Sequence, residues 1–399
     1  MSNADDADDA VRADDADDAV MAAALALQPL IVAEADDIER TGRLPDRLAT
    51  PMAQAGLFQL YLPSQVGGPE VHPLTALSVC EALAIADGSV AWCASVSSAL
   101  STYLAWLPPD ELARIAGPKP TLRLSGSARP LGHARPVEGG YIVNGRWDFA
   151  SNVNQADFYM GTCVVHDGTR SAGQPVKTRA VAIPPSQGVI LDTWHTLGMR
   201  GTGSHDFEVT ELFVPTARIA SFRYGLALKG RVFHPRLQRV VIWSPTAGVA
   251  LGLARGALNA FRDVAAGRSA SNPVALRDRA EIQLVAGRAE AAVGSARAYC
   301  FSAIEAAWQA VGETDIEPGD LDAALANARL AITHAMNVAA EVTAMLQRAA
   351  GTSGVYNRAG MERRFRDAHV ANQHAAGLDL HLQTAGSVLL GVESGEPYF

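Results

Sequence analysis

Apolar positions recur at helical spacing in two long stretches of the chain and alternate in a third stretch between them. Residues 22–40 are Ala- and Leu-rich with a charged second half, and Gly42 and Pro45 end that helix. Residues 45–55 predict a short second helix stopped by Gly56. Residues 60–69 hold two Pro and two Gly and predict a loop. Residues 74–86 and 90–107 are apolar nearly all round, which predicts two helices buried between others. They are split at Asp87-Gly88, with Ser89 as the expected cap of the second.

Beyond Pro118 the period shortens. Gly139-Gly140 predicts a turn, 141–143 a strand, Asn144-Gly145 a tight hairpin turn and 146–151 the returning strand. Segments 158–166, 179–183, 189–195 and 205–214 continue the series without alternating helices, which argues against a nucleotide-binding parallel sheet. Helical periodicity returns near residue 236, over 240–265, 274–309 (opened by Asn272-Pro273), 318–348 and, after a break at Gly351–Gly354, 362–382. Four long helices joined by short breaks predict an up-down bundle. The expected fold is α+β and multidomain: an acidic tail over 1–20, an N-terminal helical domain over 21–118, a central β-barrel or sandwich over 119–225, and a C-terminal four-helix bundle over 226–399.

Composition changes this picture at one end only. The chain has 399 residues, 48% of them hydrophobic and 19% charged, enough to bury a sizeable core. Nearly all of the net charge of −9 sits in residues 1–20, which hold eight Asp in two copies of ADDADDAV, with one Arg between the copies. Such a run is expected to stay solvated and unstructured. The nearly neutral remainder carries no Lys/Arg cluster, so no nucleic-acid partner is expected. Cys80, Cys93, Cys163 and Cys300 have neither redox nor zinc spacing and read as buried thiols of a reducing cytoplasm. No apolar run reaches about 18 residues and no secretory pattern opens the chain, so neither a membrane span nor export is expected.

Several chemistries lack their motif. There is no Gly-x-Ser-x-Gly elbow, no phosphate loop ending in Gly-Lys-Ser/Thr, and no His-Glu-x-x-His. Gly198-Met-Arg-Gly201-Thr-Gly203 has the wrong order for a dinucleotide fingerprint and lies among strands.

Three stretches, in order and with matching spacing, carry a family likeness. The first is Leu124-Ser-Gly-Ser127 followed by 137–151, VEGGYIVNGRWDFAS. The second is 197–205, LGMRGTGSH, ending in Leu212-Phe-Val-Pro215. The third is 351–356, GTSGVY, followed by Arg366-Asp-Ala-His369. Over about residues 21–390 the chain resembles the acyl-CoA dehydrogenase superfamily. That resemblance implies FMN or FAD bound between the β unit and the C-terminal bundle of a homotetramer. It implies that Ser151 meets the flavin N5 side and Phe149 flanks the ring. By the same likeness Ser125, Ser127, Arg200, Thr202, Ser204, Gly351, Thr352 and Ser353 join them in holding the cofactor.

Within the superfamily, the catalytic glutamate position of the dehydrogenases is taken here by Ala375, in His374-Ala-Ala-Gly377. The segment instead resembles the flavin-dependent monooxygenases, whose Arg-Asp with a downstream His matches Arg366-Asp367 and His374. This implies reduced flavin from a separate flavin reductase, a flavin C4a-hydroperoxide held by Ser151, and oxygenation of a small, aromatic or heteroaromatic substrate. His374 is the expected acid or base, since an imidazole of ordinary pKa suits proton transfer near neutrality. His369 is its competitor, about 140° away if both share one helix. Trp92, Leu100, Ser101 and His369 are expected in the substrate pocket; Leu100 stands where several aromatic hydroxylases of this branch carry a His. The rival readings are a dehydrogenase or oxidase whose base has moved to Glu81, Glu341 or Asp263, and a catalytically silent member of the fold.

Overall fold

The computed structural model describes residues 2–118, 121–168, 176–220, 230–267, 274–313, 316–357 and 360–392, with side chains from residue 15 onward. The helical N-terminal part comprises α1 (Ser2–Thr41), α2 (Asp46–Gln54), α3 (Pro73–Ala86), α4 (Gly88–Ser101) and α5 (Pro109–Ala116). The acidic repeat, expected to be unstructured, lies within α1. Two causes contribute, one local and one tertiary. Its alanines favour helix, and its end is anchored, since Asp17 accepts from the Thr75 hydroxyl and, at 3.3 Å, from the His72 amide. Val20, Ala24, Ile31 and Ile38 then bury one face of the helix. The cap of α4 is Asp87 rather than Ser89: its carboxylate accepts from the Val90 amide at 3.1 Å. Helix α5 was not apparent in the sequence.

Among the described residues, seven strands form one mixed sheet: β1 (Leu124–Val137), β2 (Gly140–Trp147), β3 (Phe158–Val165), β4 (Thr178–Ile183), β5 (Val189–Leu191), β6 (Asp206–Pro215) and β7 (Ile219–Ala220). Their order is β5-β6-β2-β1-β3-β4-β7, and β1/β3 is the parallel pair. The hairpin turn lies at Gly139, between β1 and β2. Asn144-Gly145, predicted as a turn, is instead a register irregularity inside β2. The cause is the buried indole of Trp147, which donates to the Thr162 carbonyl at 2.8 Å and stacks on Phe207 at 4.9 Å. A Cβ on Gly132, Gly145 or Gly161 would come within 2.2, 2.7 and 2.7 Å of that ring. Three strands therefore bare their backbone to accommodate one aromatic side chain.

The C-terminal part is α6 (Gln238–Ala266), α7 (Ala280–Gly312), α8 (Pro318–Ala350), α9 (Met361–Ala371) and α10 (Leu380–Leu389). Asn272-Pro273, the predicted opening of the second of these, lies outside the described residues. The last predicted helix, 362–382, is broken. A Cβ on Gly377 would sit 2.6 Å from the Asn372 carbonyl, so the chain turns sharply there, and a short 3-10 turn, Ala375–Gly377, separates α9 from α10. Helices α3 and α6 pack backbone to backbone. Gly248, Gly252 and Gly256, four residues apart on one face of α6, would each bring a Cβ within 2.1, 2.4 and 2.9 Å of the α3 carbonyls of Leu77, Glu81 and Ile85. One apolar core thus runs through the N- and C-terminal helices, with a second beneath the sheet around Trp147. By length and composition alone, Asp15–Thr41 and Gln238–Ala266 are long and apolar enough to cross a membrane, a test that core helices also pass; the second is largely buried inside the fold.

Candidate active site

Helix α4 carries Trp92 to the end of β2, where its indole N–H donates to the Ser151 hydroxyl at 3.2 Å. From Ser151 the hydroxyls run inward: Ser151 to Ser204 at 2.8 Å, Ser204 to Thr202 at 2.6 Å, and Thr202 to the Met199 carbonyl at 2.8 Å. All three side chains are buried. The loop that presents Thr202 and Ser204 is the Gly198-Met-Arg-Gly-Thr-Gly-Ser segment, with Met199 and Gly203 both left-handed (φ +53° and +49°).

On its other edge Trp92 meets His374, with ring centroids 5.2 Å apart and planes at 85°. One indole therefore touches both residues on which the sequence reading depends. His374 is not on a helix. It caps the 375–377 turn, its Nδ1 accepting from the Ala376 amide at 3.2 Å. Nδ1 is thereby occupied as an acceptor, so the neutral ring carries its proton on Nε2. Burial and the nearby His381 push the imidazole down to about 4, so it is neutral at pH 7, not poised for proton transfer as its ordinary pKa suggested. His369, back on α9, spends Nδ1 on the Phe365 carbonyl at 2.8 Å.

Residues with no sequence signal fix the His374 turn from behind. Arg329, which only donates, reaches His381 Nδ1 at 2.5 Å; His381 Nε2 then donates to the Ala375 carbonyl at 2.7 Å. Thr333 holds the Ala376 carbonyl at 2.8 Å. Trp243 lies 4.8 Å from the His381 ring.

The other expected residues divide. Ser125 is fully buried and its hydroxyl has no hydrogen-bond partner among the described residues. Phe149 is held at φ +57° with 57% of its surface open, edge-on to Trp194 at 6.0 Å. An unpartnered buried hydroxyl and an aromatic ring held open suit a flat tricyclic ligand such as a flavin. Ser127 accepts from the Arg129 amide at 3.4 Å. Arg200 turns toward Glu39, 3.7 Å away, and not toward the hydroxyls. Gly351, Thr352 and Ser353 are exposed in the turn between α8 and α9. Leu100 is buried, and Ser101 donates to the Ser98 carbonyl at 2.6 Å. The carboxylates a relocated base requires lie elsewhere: Glu81 is paired with Arg297 at 2.9 Å, and Asp263 and Glu341 are exposed on α6 and α8.

Asp367, at the start of the Asp-Ala-His motif, is a buried carboxyl. It accepts from the Met199 amide at 2.5 Å, tying the hydroxyl-bearing loop to α9. Burial, and then Asp87, push its carboxyl up to about 7. A raised carboxyl pKa makes the charged form a cost in the folded state. That cost is full above pH 7 and is relieved as pH falls toward the ordinary carboxylate range. Asp367→Asn keeps an oxygen for Met199 and removes the charge. Its thermal stability relative to the parent is expected to improve by about 2 kcal/mol between pH 5 and pH 8. Equal gains at both pH values would place the titration elsewhere.

Comparison with known proteins places the chain in a family. The model of the acyl-CoA dehydrogenase N-terminal domain matches residues 18–111, and that of the acyl-CoA dehydrogenase C-terminal domain matches residues 245–377. The chain is 35% identical over 349 residues to an indole-3-acetate monooxygenase of Pseudomonas putida, covering 84% of each. It is 30% identical to the flavin-dependent monooxygenase oxygenase subunit HsaA of Mycobacterium tuberculosis, covering 88% of this chain and 89% of that one. The crystal structure of the M. tuberculosis HsaA monooxygenase superposes with a TM-score of 0.83 at 25% identity, over 95% of this chain and 99% of that one.

Proposed function

The chain belongs to the acyl-CoA dehydrogenase superfamily, in its flavin-dependent monooxygenase branch, and from that premise we propose that it is the oxygenase component of a two-component system. It takes reduced FMN or FAD from a separate reductase in the cytoplasm, works as a homotetramer and oxygenates a small aromatic substrate of the indole or phenol type. The observation that carries this reading is the single indole of Trp92 in contact with both Ser151 and His374.

When bound, the reduced flavin would supply the electrons that activate dioxygen, one atom of which goes to the substrate and the other to water. The protein's part follows from its own side chains. Ser151, buried between Trp92 and Ser204, offers its oxygen to the N5 edge of the ring. Ser125 and Phe149 hold the ring, the first by a free hydroxyl and the second by its open face. His374, neutral and bearing its proton on Nε2, donates a hydrogen bond across the same edge and excludes water together with Trp92. Ala375 leaves no carboxylate at the position where the dehydrogenases keep their base, so abstraction of an α-proton has no agent there.

Anaerobic titration with reduced FMN or FAD, followed by an oxygen pulse in the presence of indole-3-acetate or a phenol, tests the reading. Saturable binding and an oxygenated product are expected. A protein that purifies with oxidised flavin and is bleached anaerobically by an acyl-CoA would be a dehydrogenase; one that binds no flavin would be neither. Ser151→Ala is expected to raise hydrogen peroxide released per substrate oxygenated about tenfold, since one buried hydrogen bond at the ring edge is lost. An unchanged ratio would remove Ser151 from the site.

A further inference from the structure

The hydroxyl chain behind Ser151 has a direction. Thr202 Oγ1 lies 2.8 Å from the Met199 carbonyl, which can only accept, so the Thr202 proton lies between them; two oxygens at that distance without a shared proton would repel. Thr202 then accepts from Ser204 across 2.6 Å, and Ser204 accepts from Ser151 across 2.8 Å. The Trp92 indole can only donate and occupies one lone pair of Ser151 Oγ at 3.2 Å. Ser151 is thus left with no proton to give outward and one lone pair to offer.

We propose that the Thr202–Ser204 pair, by holding the Ser151 proton inward, makes the site select reduced over oxidised flavin. The inference rests on the reading that Ser151 faces the N5 edge. Reduced flavin carries a hydrogen on N5 and donates to a lone pair. Oxidised flavin has a bare N5 and needs a donor. To supply one, the whole chain must reverse, Ser204 toward Ser151 and Thr202 toward Ser204, and the bond from Thr202 to the Met199 carbonyl is lost. That carbonyl would keep the Trp194 indole N–H at 3.0 Å, so reversal is possible at the cost of one buried hydrogen bond. A net hydrogen bond of that kind corresponds to a preference of about tenfold. Thr202 and Ser204 are positioning residues in this scheme: they act on the cofactor through Ser151.

The test is equilibrium binding, without turnover, of oxidised and of anaerobically reduced FMN and FAD to the full chain and to Thr202→Val, Thr202→Ser and Ser204→Ala. The parent is expected to hold the reduced form at least about tenfold more tightly. Thr202→Val lets Ser204 turn toward Ser151, and Ser204→Ala frees the Ser151 proton outright. Both are expected to shrink the ratio toward one, chiefly by tightening oxidised flavin, whereas Thr202→Ser keeps the parent's ratio. A purely structural role would weaken both redox forms together, and that result overturns the proposal, as does an unchanged ratio in Thr202→Val and Ser204→Ala. Failure of the parent to bind flavin in either state would instead overturn the reading that the site holds flavin, and this inference with it.

Discussion

His374→Ala is expected to lower substrate oxygenation about 100-fold while leaving reduced-flavin binding within a few-fold of the parent, because a buried donor at a reacting centre is worth roughly that much. The geometry makes the expectation specific. The Ala376 amide on Nδ1 places the proton on Nε2, and burial beside His381 keeps the ring neutral, pushed down to about 4. The side chain therefore acts as a fixed donor. His374→Gln, which retains an N–H at similar reach, is expected to recover part of the loss. The pH profile of the parent should show no inflection near 6.5 that vanishes in the His374 variants. Such an inflection would mean that the imidazole titrates as an exposed one does, and the donor role would fail.

Gly252→Val is expected to destabilise the fold by about 3 kcal/mol or more and to lower Tm by roughly 4 °C or more. A Cβ there meets the Glu81 carbonyl at 2.4 Å and the Ala84 methyl at 2.6 Å, both on a helix whose backbone is itself locked into the core. The neighbour cannot give way as a flexible side chain would. Separation of α3 from α6 would also shift α4, which follows α3 across Asp87 and carries Trp92. Gly294→Ala is the control: it lies on exposed α7 with nothing within 4 Å of the added methyl, and it should be neutral or slightly stabilising. Equal behaviour of the two variants would mean that the α3–α6 contact is looser than these distances imply.

Much of the architecture was legible because it is written in period. The buried helices α3 and α6, the long α8 and the run of short strands all carry spacing that a sequence displays. What failed was local and depended on distant partners. Asn144-Gly145 has turn chemistry, but the Trp147 ring across the sheet needs the bare backbone at Gly145 for its own packing. Ser89 is a good cap by residue type, yet α4 begins at Gly88, which puts Ser89 inside the helix and Asp87 at the cap. The break after α9 gave no warning beyond Gly377. The site follows the same division. Ser151 and His374 were marked by motifs, and Trp92 by its place on α4. Arg329 reaches His381 from 52 positions away in sequence, Thr333 reaches the His374 turn from 43, and Trp194 meets Phe149 across the sheet end. No linear pattern marks them.

The fate of molecular oxygen tests the proposed monooxygenase activity most directly. The full chain, given reduced flavin by an unrelated reductase and an aromatic substrate such as indole-3-acetate under 18O2, is predicted to place one labelled oxygen atom in the product and the other in water. Product without label, or flavin reduction by an acyl-CoA in the absence of oxygen, would contradict it.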